Sequence, residues 1–358
     1  MRLLSVTLPY LLLVSFYSGE LRNFELEKIT AINQSPYYGV AVPLIGAYDT
    51  EKYSVDEFFD SVQTIKNSSK KDVWPWVFFN RFIGYKEGAR TLSPKANQSY
   101  FREINGMDIY NNAGALNDFY NIWKISLQIA KKLGSPGIVV DPEAYNNYRT
   151  YRVSYISKQV GQPEEKVKRR LNEIGRELAQ IADGIYPEAT LWFLFTGLGN
   201  PIRTVNPFDQ TQYRSVTYII QGMLEYGKEK RLKLKLVSGG ELSLGYCSIS
   251  LEHLKNKVRS RGNDFSARIK SYRNLLLGGT IAPWNDAGLK KEGYFTKGTC
   301  GKSGLKNLKD FKPLIINLCD SYQYVWIYAA KSVGYDPYDP KASNSYNNAI
   351  KDDLDEKL

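Results

Sequence analysis

The chain has 358 residues, with 48 Lys and Arg against 37 Asp and Glu, a formal net charge of +11. Its single histidine, His253, excludes a His-rich zinc site and leaves any Ser-His-Asp or Cys-His nucleophile system dependent on that one residue. Cys247, Cys300 and Cys319 are too few and too scattered for a metal knuckle, so carboxylates, tyrosines and tryptophans are the chemistry that remains.

At the start, Arg2 precedes an uncharged run from Leu3 to Tyr17 dominated by Leu, Val and Tyr. That is short for a membrane span and right for the core of a signal peptide, with cleavage near Ser18 or Gly19 and a retained N-terminal anchor as the competing reading. Asn-x-Ser sequons at Asn33, Asn67 and Asn97 fit an exported chain, Asn33 least well because Pro36 follows Ser35. The expectation is a secreted or periplasmic protein, with residues 1–19 as leader, 20–34 as an N-terminal extension, 35–330 as one catalytic domain and 331–358 as a polar tail.

Further along, strands are expected at Tyr38–Leu44, Val73–Phe79, Gly137–Asp141, Ala189–Thr196, Lys233–Ser238, Gly279–Trp284 and Tyr322–Tyr328. Between them lie helical patterns. In Pro163–Ile185, Val167, Leu171, Ile174, Leu178 and Ile181 recur at helical spacing behind Pro163 and two glutamates, as a helix start should read. Leu116–Leu133 is a second such helix that stops at Gly134, and Val216–Tyr226 and Leu305–Leu318 are further examples. His253, in S-L-E-H-L-K-N-K-V, reads as a partly exposed side chain on another amphipathic helix. Strand and helix alternating in this way call for an α/β fold, a single (β/α)8 barrel with helices outside. Its eighth strand is expected in Phe24–Ile32, in Leu242–Ile249 or between Tyr85 and Ala113.

The basic residues do not form one stripe. E-E-K-V-K-R-R from Glu164 and E-K-R-L-K-L-K from Glu229 read as solvated helix faces, and the tail from Lys331 has six acids against four lysines. No aromatic interleaving accompanies them, so no nucleic-acid partner is expected, and no membrane contact beyond a possible N-terminal anchor.

Chemistry concentrates where Gly137–Asp141 ends, in G-I-V-V-D-P-E-A-Y. A Val/Ile run bounded by Gly and Pro reads as a strand buried on both faces, and Asp141 and Glu143, two apart, share one side of it. Two acids at the exit of a buried strand are costly to place and suit acid–base work. The competing reading is a pair that merely closes the strand. Other strand ends supply Asn80 and Arg81, then Glu241 behind S-G-G, then Trp284 and Asp286, then Trp326 and Tyr328, with Tyr145 beside the acid pair. Barrel active sites are built at such ends.

Aromatic faces pack on the C–H faces of sugars, and cleaving a glycosidic bond needs two carboxyl groups. The strand-terminal D-x-E resembles the chitinase-like group of the (β/α)8 glycoside hydrolase superfamily, whose motif D-x-x-D-x-D-x-E ends a barrel strand. Asp141 and Glu143 match its last two acids, whereas Pro136 and Val139 stand where its earlier acids would be. The resemblance implies Glu143 as general acid, Asp141 as support for the substrate or intermediate, and Trp326 as the late-strand tryptophan typical of that group. Glu241 and Asp286 compete with Asp141 for the second carboxylate role. Asn80, Arg81, Tyr145, Trp284, Trp326 and Tyr328 are the candidate substrate-binding residues, with a carbohydrate as partner and no cofactor or metal. A non-catalytic carbohydrate-binding barrel is the alternative. A weaker one is a divalent-metal enzyme using Asp141, Glu143, Glu241 and Asp286 as oxygen ligands.

Overall fold

The computed structural model describes residues 10–14, 30, 33–35, 37–43, 59, 63, 66–68, 70–78, 106–111, 113–142, 152–194, 196, 214–244, 250–268, 272–282, 284–285, 304–305, 308–327 and 348. Eight parallel strands close into a ring: β1 (Tyr10–Val14), β2 (Gly39–Pro43), β3 (Asp72–Phe78), β4 (Gly137–Asp141), β5 (Thr190–Phe193), β6 (Lys235–Ser238), β7 (Leu275–Ile281) and β10 (Tyr324–Ile327), which pairs back to β1. Two short strands, β8 (Trp284–Asn285) and β9 (Gly304–Leu305), form a separate antiparallel pair. The helices are α1 (Gly106–Asn111), α2 (Ala113–Leu133), α3 (Val153–Val160), α4 (Glu164–Ile185), α5 (Arg214–Lys230), α6 (Glu241–Leu244), α7 (Leu251–Arg268) and α8 (Leu308–Ser321). This is the α/β architecture of a (β/α)8 TIM barrel in one domain.

Strand alternation divides the apolar residues into two cores. Val40, Val73, Ile138, Val140, Leu191, Phe193, Leu236 and Val325 face outward into a continuous layer with the helices. Ala41, Trp74, Trp76, Val139, Trp192, Val237, Tyr324 and Trp326 face inward and fill the barrel. The inner rings meet edge to face, with Trp192 5.3 Å from Tyr324, 5.9 Å from Trp74 and 6.2 Å from Trp326. Quadrupoles favour that geometry, so indoles do the filling that branched aliphatics usually do.

The eighth strand is not in any of the three segments where it was expected. It is β1, which pairs with β10 through Tyr10↔Tyr324 and with β2 through Leu12↔Gly39. The barrel therefore begins at Tyr10 rather than at residue 35, and a leader ending at 19 would carry one of its strands away. A central parallel strand is covered on both faces, so its sequence is as uncharged as the core of a leader, and periodicity does not separate the two. Leu242–Ile249 instead opens with the end of α6, and the stretch before Ala113 contributes α1.

The strand expected at Gly279–Trp284 is shifted as well. It starts at Leu275 and ends at Ile281, leaving Trp284 to β8. Gly278 and Gly279 belong inside it because neighbours come too close for a side chain. A Cβ at Gly278 would lie 2.9 Å from Val237 Cγ1, and one at Gly279 would lie 2.8 Å from Tyr322 Cδ2.

The amphipathic helices form where the spacing places them. α4 buries Val167, Leu171, Ile174 and Leu178, opens behind Pro163 and has Glu164 and Glu165 in its first turn. α2 ends as expected before Gly134, whose φ of +66° only glycine adopts without strain. On the outer surface Arg176 forks onto Glu229, Arg170 reaches Glu173 and Glu177, and Tyr120 donates to Glu177. These half-exposed pairs add little stability individually. Asn33 is tied at both ends of its amide, donating to the Ser68 carbonyl at 2.9 Å and accepting from Lys70 N at 2.9 Å.

α4 and α5 approach until their backbones touch. A Cβ at Gly175 would sit 1.8 Å from the Ile219 carbonyl oxygen, and one at Gly222 would sit 1.9 Å from that of Asn172. Neither obstacle is a side chain that can rotate away. Gly175→Ala and Gly222→Ala are each expected to cost about 3 kcal/mol, because the helices must part. Together they should cost clearly less than the sum, since one separation relieves both clashes. Chemical denaturation of the three variants checks this, and additive losses would mean the two contacts are independent.

Candidate active site

All barrel strands run the same way, so their C-terminal ends gather on one rim. Asp141 is the last residue of β4 and is only 2% exposed. Val139 lies in the inner core while Ile138 and Val140 lie in the outer one, so alternation turns Asp141 into the barrel mouth. Phe78 is its register partner on β3, and on the other side Leu194 N–H donates to the Val140 carbonyl at 2.9 Å. An ionisable group so deep needs a purpose, since desolvating a carboxylate is expensive.

Glu241 reaches the same rim from β6. Beyond Ser238 the chain leaves β7 and leans on β5: Gly239 N–H donates to the Phe193 carbonyl at 2.7 Å, and Glu241 N–H donates to the Leu194 carbonyl at 3.0 Å. The S-G-G before the glutamate is a steric requirement. A Cβ at Gly239 would lie 2.8 Å from the Leu194 oxygen and 2.9 Å from the Trp192 indole nitrogen. Gly240 has φ +83° and would drive a Cβ to 2.6 Å from the Arg261 guanidinium carbon. Glu241 then opens α6, itself only 7% exposed. Asp141 ends β4, and Glu241 follows β6, the next strand but one around the ring.

Beneath this rim lies an aromatic floor. Trp326, the third residue of β10, is fully buried and meets Trp76 edge to face at 5.8 Å. Thr280 of β7 is its register partner. On the β5 side of the mouth the Thr196 and Ser238 hydroxyls hydrogen-bond at 2.9 Å.

The structure thus brings Asp141, Glu241 and Trp326 to one end of the barrel. Asn80, Arg81, Glu143, Tyr145, Asp286 and Tyr328 lie outside the described residues, as does the side chain of Trp284, whose backbone belongs to β8. The acid pair read from the sequence is therefore seen by its first member alone. His253 sits on α7, partly exposed, with its backbone N–H donating to the Ser250 hydroxyl at 3.1 Å. Burial, and then the charge of Lys257, pushes its imidazole below the ordinary range, which keeps it neutral at pH 7. Among the described residues, no group of three or more His, Cys, Asp or Glu is placed to hold a metal ion, and no helix is long and apolar enough to cross a membrane.

Arg261 is the residue near this rim that sequence reasoning passed over. It is 1% exposed and sits ten residues after Leu251 and seven after Leu254 on the apolar face of α7. A charge at a position of the helical pattern reserved for apolar residues was the available signal.

No family model matches the sequence, and no curated protein matches it either. Among solved structures, the chain is similar to a broad specificity endoglucanase from an uncultured bacterium, at 11% identity over 93% of this chain and 83% of that one, with a TM-score of 0.50. Looser likenesses are to a glycoside hydrolase family 5 enzyme from Prevotella bryantii (11% identity, 92% and 85% coverage, TM-score 0.48) and a sugar phosphate isomerase/epimerase from Parabacteroides distasonis (10%, 98% and 96%, 0.42). At such identities what is shared is the barrel fold.

Proposed function

We propose that this protein is a glycoside hydrolase that cleaves a glycosidic bond in a polysaccharide or glycan by carboxylate acid–base catalysis. The observation that carries the reading is the buried, inward-turned Asp141 at the end of β4, on the same rim as Glu241 and above a floor of indoles. Glu143 follows Asp141 by two residues and is assigned the general acid. Asp141 supports the charge that develops at the sugar, and Glu241 or Asp286 is the second carboxylate if that role lies across the mouth. The endoglucanase of similar fold makes glucans the first polymers to try. The sequons at Asn33, Asn67 and Asn97 support a place outside the cytoplasm, with β1 retained.

The test is a panel of polysaccharides and glycans assayed for released reducing ends, with wild type and Asp141→Asn in parallel. A residue that stabilises developing charge is worth roughly 10²–10³ in kcat, and a loss of that order is expected on whichever polymer is cut. Binding without release on the whole panel would favour the non-catalytic carbohydrate-binding barrel. Wild-type turnover by Asp141→Asn would remove that residue from the mechanism.

A further inference from the structure

The β6–β7 ladder stops at Ser238↔Leu277, while β7 runs on to Ile281 beside β10. At that fork one side chain spans the gap. The guanidinium of Arg261 donates from Nη2 to the Ser238 carbonyl and, at 3.2 Å, to the Ser238 hydroxyl, and from Nη1 to the Gly278 carbonyl. Its Cζ lies 5.4 Å from the Tyr322 ring centroid. Gly240 rests directly on it, since any Cβ there would meet Cζ and Nη1 at 2.6 Å. From the opposite side, β5 holds the same turn through the Phe193 and Leu194 carbonyls.

We propose that Arg261 is a positioning residue for Glu241, clamping the S-G-G-E turn between α7 and the end of β5. This rests on the reading of Glu241 as one of the working carboxylates. A fully buried guanidinium loses its hydration, and burial holds its pKa below the ordinary arginine range. An apolar residue of similar volume would fill the space more cheaply. What an apolar residue does not supply is a rigid planar fork whose two ends fix two strand carbonyls at one distance. The carbonyls it fixes belong to the last residue before the turn and to the strand from which that turn departs. Glu241 follows the two glycines directly, so the path of that turn sets where its carboxylate enters the mouth, and the fork holds the turn at its start.

Two measurements decide the matter, using the full chain. The first is amide hydrogen exchange in Arg261→Met and Arg261→Lys. Exchange over residues 238–244 should rise roughly tenfold or more in Arg261→Met and less in Arg261→Lys, while residues 137–141 stay protected. Unchanged exchange in the turn, or an equal rise everywhere, would overturn the clamp. If Arg261→Met does not fold, Gly240→Ala displaces the same guanidinium from the turn's side and should give the same local signature. The second is a double-mutant cycle on the polymer identified by the panel. Arg261→Met alone should lower kcat by about 10–10² with KM within about twofold, as misplacement of a reacting group does. Added to Glu241→Gln, it should cause no further loss, and additive losses would overturn the proposal. If Glu241→Gln keeps wild-type turnover, the role given to Glu241 fails while the exchange result still judges the clamp.

Discussion

A chain that starts at Gly19 is expected not to fold. β1 contributes Tyr10–Val14 to the ring and is paired along both edges, to β10 and to β2. Removing it exposes the backbone donors and acceptors of two parallel strands that otherwise lie in the wall of a covered barrel. Each buried group left without a partner costs about 1–3 kcal/mol, and there are several along each edge. Whole-domain stability is only about 5–15 kcal/mol, so the sum is enough to abolish it. The opened edges would also template pairing between chains. The expected result is an aggregated product without a cooperative thermal transition, beside a full-length chain that melts cooperatively. Mass spectrometry of the protein from its own cells should find residues 10–14 present. A product beginning at 19 that unfolds cooperatively would show that the ring closes without this strand.

The same strand shows where sequence reading stops. Gly137–Asp141 was legible to the residue because glycine and proline punctuate a β-branched run, and the end of that run brought Asp141 with it. α4 was legible because Val167, Leu171, Ile174 and Leu178 repeat at helical spacing behind a proline and two acids. β1 has Pro9 before it, but its run is leucine rather than β-branched and no glycine closes it. Its neighbours in the ring are the last strand and the second, a closure that no local pattern encodes. Arg261 was hidden for the opposite reason: its charge suggests a solvated face, and only the fork between β6 and β7 gives it carbonyls to bind. The two glycines before Glu241 were visible as letters, yet their meaning lies in the Leu194 oxygen and the Arg261 guanidinium, both distant in sequence.

Glu143→Gln is expected to fold as wild type and to lose about 10²–10⁴ in turnover on the natural polymer. The substitution keeps size and hydrogen bonding and removes the titratable proton. Glu143 follows Asp141, the buried last residue of β4, by two residues. A general acid must start protonated, and the amide of the variant has no proton to give to the leaving oxygen. A substrate with an activated leaving group needs little protonation, so the variant should recover most of its bond-breaking rate on it. Asp141→Asn should fail on both kinds of substrate, because the charge it supports develops whatever the leaving group. Rates for the two variants on a polymer and on an activated glycoside therefore separate the roles. A Glu143→Gln protein that cuts the polymer at the wild-type rate would return the pair to strand closure, and the acid would have to be sought at Glu241 or Asp286.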